Sequence, residues 1–123
     1  MDYISNIVPL LKSYIGMELK SLSGRSNIFV NNVDSNGFSL TCADGQSFTE
    51  SHRRAKIVFE QLQDKGVIHV DAALENSGSR RNIPETLLAN LPFVEYGKIN
   101  QRQHLFLRVE ETHELGTLKQ KSG

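Results

Sequence analysis

From Ser51 to Val109 the chain spells out a succession of elements whose starts and stops are all marked. The run HRRAKIVFEQLQDKG sets Ala55, Val58, Phe59 and Leu62 on one stripe, with Ile57 widening it, which is the spacing of an amphipathic helix. Ser51 or Thr49 can cap that helix. Lys65 and Gly66 end it, with a cation in the last turn and glycine just past it. Val67 to Val70 is long enough only for a strand stub. Asp71 then reads as the cap of a short helical turn over Ala72 to Asn76, with Gly78 as its stop. Asn82, Pro84 and Glu85 supply a cap, a first-turn proline and a carboxylate three residues after the cap, a variant of the capping box. Ile83, Leu87, Leu88 and Leu91 form the buried face of this helix, and Pro92 forbids its continuation. Glu85, Thr86, Ala89 and Asn90 remain facing outward. Phe93 to Tyr96 and His104 to Val109 pair across the polar loop GKINQRQ, with Leu105, Leu107 and Val109 on one face.

The preceding half has a different grammar. Asp2 to Ile15 carries Ile4, Ile7, Val8, Leu11 and Ile15 at helical spacing, with Asn6 as cap, Pro9 in the first turn and Gly16 as the stop. Met17 to Leu22 alternates as a first strand does. Ile28, Val30 and, after a shift, Val33 continue a β-rich segment. Asp34-Ser35-Asn36-Gly37 is a hairpin turn, because Asn-Gly supplies the positive φ angles of a tight turn. Phe38, Leu40 and Cys42 share one face. Asp44-Gly45 turns the chain again, and Gln46 to Thr49 closes a small antiparallel meander that needs one face covered. The expectation is an α+β chain: an N-terminal helix, a small antiparallel β meander, then a helical unit ending in a hairpin. Residues 1–110 form a single compact domain, with helix and meander in 1–49 and the second unit in 50–109. Residues 111–123 read as a polar tail or linker.

Charge narrows the function. Lysines and arginines balance aspartates and glutamates at 14 each, for a formal net charge of zero. Nucleic-acid binding therefore has to rest on local clusters. Arg53 and Arg54 open the long helix. Arg80 and Arg81 stand before the capped helix, whose free N–H groups favour a phosphate. Lys98 and Arg102 lie on the hairpin loop. Thr86 and Asn90 are the outward polar residues, and asparagine can pair bidentately with adenine in the major groove.

Chemistry that needs a cofactor finds no footing. His52, His69, His104 and His113 lack metal-binding spacing, and Cys42 is the single cysteine. Glu18-x-Lys20 sits on a strand without the upstream acidic residue that a metal-dependent nuclease site requires. Phosphate-loop and nucleophile-elbow motifs are missing. The chain is therefore expected to be no enzyme by itself and to use no cofactor and no metal. With no apolar run near the ~18 residues of a membrane span and no signal-like N-terminus, it is expected in the cytoplasm, off the membrane.

In element order and spacing, Phe48 to Val109 resembles winged-helix DNA-binding domains. With the helix and meander in front, the whole is similar to an N-terminal recognition domain of a modification-dependent restriction endonuclease. The resemblance implies a DNA-binding recognition module for double-stranded DNA, the non-catalytic reader part of a larger DNA-processing or defence protein with a nuclease domain attached. The helix over Ile83 to Asn90 would lie in or near the major groove, Arg80 and Arg81 on phosphates and the hairpin alongside. No base-specific residue is carried over. Another class stays open: a winged-helix-like protein–protein interaction module, or a transcriptional regulator.

Overall fold

The computed structural model describes residues 1–121; Ser122 and Gly123, the end of the expected tail, lie outside the described residues. A π-helical turn over Tyr3–Ile7 runs into helix α1 (Val8–Lys12). Asp2, not Asn6, caps it: the Asp2 carboxylate accepts from the Ser5 amide at 2.8 Å, while Asn6 accepts from the Asp2 amide at 2.7 Å. The wider turn rotates the buried stripe. Tyr3, Ile7, Leu11 and Tyr14 line the core, whereas Ile4 and Ile15, expected inside, are 57% and 45% exposed.

Strands β1 (Glu18–Leu19), β2 (Ile28–Asp34), β3 (Gly37–Cys42) and β4 (Ser47–Ser51) form an antiparallel meander in that spatial order. The register slips between Val30 and Asn32, so Asn31 is an extra residue. Asn31 and Asn32 both face solvent, and Val33 regains the inner face beside Val30. This bulge is the physical form of the shift in the alternation. At the following turn the Asp34 carboxylate accepts from the amides of Asn36 and Gly37 at 2.8 and 3.2 Å. The imidazole of His52 ties the meander to the N-terminus. Its Nε2–H donates to the Asp34 carbonyl at 2.7 Å, which leaves Nδ1 to accept from the Tyr3 hydroxyl at 2.8 Å.

The second half runs α2 (Arg53–Lys65), β5 (Val67–Ile68), α3 (Val70–Ala73), α4 (Asn82–Ala89), β6 (Val94–Ile99) and β7 (Arg102–Leu107), with strand order β5-β7-β6. The α+β fold expected from the sequence is therefore the fold adopted, with β6 and β7 forming the hairpin that the resemblance casts as a wing. Helix α2 buries Ala55, Val58, Phe59 and Leu62 and ends at Gly66, whose φ of +80° lets its N–H reach the Leu62 carbonyl at 2.7 Å.

Local details differ from expectation. Asp71 does not cap α3; His69 holds that position, and Asp71 pairs with Arg81 instead. Helix α4 has no side-chain cap, because Arg81 takes the cap position and Asn82 already lies within the first turn. Strand β7 stops at Leu107, and Val109 is fully exposed.

The C-terminal segment is not a loose tail. The amides of Thr112 and His113 both reach the Pro92 carbonyl, and that of Gly116 donates to the Asn90 carbonyl at 2.9 Å. Tyr96 then exchanges bonds with Lys119 and Lys121, placing Gln120 parallel to β6. Leu115 and Leu118 pack on the core. The compact unit therefore continues to Lys121.

Candidate nucleic-acid interface

Helix α4 is the element whose outer face was expected to read bases, and it is enclosed. Ile83, Pro84, Leu87, Leu88 and Ala89 are buried, and so are Thr86 and Asn90, each with no exposed surface. The N-terminal half and the C-terminal segment occupy the space a duplex would need. The Tyr14 hydroxyl donates to the Leu87 carbonyl at 2.8 Å, and the Asn90 amide donates to the Lys20 carbonyl at 3.2 Å. Thr86 and Asn90 cannot touch a base edge, and α4 cannot lie along a major groove. Both expectations are corrected. Thr86 Oγ1 and Asn90 Oδ1 have no hydrogen-bond partner among the described residues.

All of the expected cations but Arg80 divide into two sets. Arg54 forks onto Glu50 at 2.9 and 2.8 Å and donates to the Ser79 carbonyl at 2.7 Å. Arg81 meets Asp71 at 2.9 Å and the carbonyls of Asn76 and Gly78 at 3.0 and 2.8 Å. These two brace the loop between α3 and α4, and their charges are matched inside the fold. Arg53 is exposed at the first turn of α2. Lys98 and Arg102 are exposed at the wing tip, on either side of Asn100 and Gln101, which both take positive φ. None of these three has an ion-pair partner among the described residues.

Arg80 belongs to neither set. Its backbone is left-handed, at φ +53°, and its guanidinium lies over the Phe48 ring at 4.9 Å. Its N–H groups reach Cys42 Sγ at 3.3 Å and Gln46 Oε1 at 3.2 Å.

Two open depressions flank the start of α4. One is lined by Asp71, Ser79, Arg81, Asn82 and Glu85. Burial, reinforced by the charge of Asp71 and opposed by His69, pushes the Glu85 carboxyl up to about 7. The other holds Arg25, which did not stand out in the sequence because a single arginine in a serine-rich loop gives no pattern. Beyond α3, His69 bonds the Gln103 carbonyl at 2.9 Å and its ring lies 5.3 Å from that of His104, linking β5 to the wing.

No group of three histidines, cysteines or carboxylates among the described residues is arranged to hold a metal. No helix among them is long and apolar enough to cross a membrane. No family model matches the chain, and neither does a curated protein or a solved structure.

Proposed function

We propose that this chain is a DNA-binding recognition module that engages double-stranded DNA with its wing rather than with α4. What carries the reading is the wing tip. Lys98 and Arg102 stand exposed, with no ion-pair partner among the described residues, on a short hairpin that follows a helix, a short helix and a second helix, an element order like that of a winged helix. Arg53 adds a third exposed cation. Contacts of this kind are to phosphates, so they position the module without reading sequence. The module is the non-catalytic reader of a larger DNA-processing or defence protein in the cytoplasm, and any catalytic domain lies elsewhere in that protein.

Duplex titrations over a range of salt test the reading. Affinity should fall with salt at a log–log slope of roughly −0.9 for each phosphate engaged. Replacing both Lys98 and Arg102 with alanine should weaken binding to every sequence alike and make the slope shallower by about 2. Duplex binding whose salt slope is unchanged in that double variant would overturn the wing as the contact.

A second reading, a protein–protein interaction module, is favoured by one observation: the chain itself covers the face of α4 that a DNA reader would present. Failure to bind mixed-sequence duplex even at low salt would leave that reading in place of the first.

A further inference from the structure

We propose that the cavity between the β1–β2 loop and the start of α4 is a binding site for a phosphoryl group, held by Arg25 and Arg80. The cavity has a volume of about 210 Å³ and forms where the two halves of the chain meet. Arg25, Ser26 and Asn27 come from the β1–β2 loop, Cys42 and Asp44 from the end of β3 and its turn, and Arg80 and Asn82 from the entry into α4.

The charge of Arg80 is the first argument. Arg54, Arg81 and Arg108 each meet a carboxylate at 2.8 to 2.9 Å. Arg80 meets a ring face, a thiol sulfur and an amide oxygen. These neutral contacts hold the planar fork in place, and among the described residues its positive charge has no ion-pair partner.

The second argument is convergence. Arg25 is exposed, has no ion-pair partner among the described residues and reaches the cavity from the other half of the molecule. Two like charges facing one space repel, and an anion between them turns that cost into attraction.

The rest of the lining completes the match. The Asn27 side chain uses its oxygen to accept from the Ser21 amide, which leaves its NH2 group as a donor. Ser26 and Asn82 add a hydroxyl and an amide. Asp44 is the one carboxylate in the lining; its Oδ1 accepts from the Gln46 amide at 3.0 Å, and its charge opposes that of an anion, against the two of Arg25 and Arg80. Guanidinium forks match the oxygens of a phosphate, whether it is an internal phosphodiester of a nucleic acid or a terminal or free phosphate.

The test uses the whole chain and inorganic phosphate, titrated against chloride at constant ionic strength and followed by amide chemical shifts. Saturable shifts are expected at residues 25–27 and 80–82, with affinity falling roughly tenfold in Arg25→Gln and in Arg80→Gln, the loss of one charge-assisted contact. Arg25 is exposed, so its variant keeps the fold even if Arg80→Gln loosens the Phe48 contact. Absence of a saturable shift, or phosphate affinity unchanged in Arg25→Gln, overturns the proposal. Two further arms separate the sources. Displacement of phosphate by an unphosphorylated oligonucleotide identifies an internal phosphodiester; displacement only by a 5′-phosphorylated one identifies a terminal group. The double alanine variant at Lys98 and Arg102 should leave the phosphate titration unchanged. The site can thus fail while the wing reading stands, and the reverse.

Discussion

Glu85 holds its proton to a pH at which most carboxyls have lost theirs. Burial is the main cause, Asp71 adds repulsion, and His69 offsets part of it. Because the folded value is raised from 4.5 to about 7, folding favours the protonated form. The associated stability is complete below pH 4.5 and is lost as pH rises through about 7. The displacement corresponds to about 3 kcal/mol once the group is ionised. Glu85→Gln should therefore raise the melting temperature clearly at pH 8 and hardly at all at pH 4, as measured by thermal unfolding. An equal gain at both would mean that the charge is not what destabilises the site. The sequence placed Glu85 in the first turn of a helix correctly but gave it a capping role. It could not show that Arg81 would hold Asp71 so close by, because that contact depends on how the α3–α4 loop folds. Thr86 and Asn90 depart from expectation for a related reason: periodicity assigns a helix one core face, and here a second layer covers the other.

At the level of elements, what was legible was local. The stripe of α2, its glycine stop and the turn between Asp34 and Gly37 each depend on a few neighbouring residues, and all three stand in the structure, although at the turn only Gly37, and not Asn36, takes a positive φ. The bulge in β2 was visible as a broken alternation at Val33. The missing cap of α4 was not visible, because the left-handed backbone of Arg80 shifts the helix start. Gly37 shows how much further the structure reaches. Its φ of +146° suits the turn, but a Cβ there would also lie 2.1 Å from the Glu50 carbonyl oxygen and 2.8 Å from Ser51 Cα. Both are backbone atoms of the paired strand β4, so neither can swing aside. Gly37→Ala should cost more than about 2 kcal/mol, by strain and by prying β3 from β4. Urea unfolding measures this directly, and a loss below about 0.5 kcal/mol, the range of ordinary surface changes, would refute it.

Across the whole molecule, three parts that look separable in the sequence share one core. The Tyr14 hydroxyl bridges the turn after α1 to α4, the Asn90 side chain bonds the stretch leading out of β1, and Gly116 of the C-terminal segment lies against Met17. The segment after Glu110 read as a tail because it is polar, and Leu115 and Leu118 alone form no periodic pattern. Its bonds are to the backbone of β6 and of the turn between α4 and β6, which residue type does not reveal. This joining predicts a single unfolding transition for the described chain. Tyr14→Phe is a sharp probe, because it deletes one hydroxyl between the halves and leaves the buried Leu87 carbonyl one partner poorer. The expected loss is about 1 kcal/mol. The midpoint should fall by the same amount whether unfolding is followed at amides of the meander, such as Val30, or at Tyr96 beside the C-terminal segment. Separate midpoints at the two positions would instead make the meander an independent domain resting on α4. In that case the buried face of Thr86 and Asn90 could be uncovered without unfolding the unit from α2 to β7.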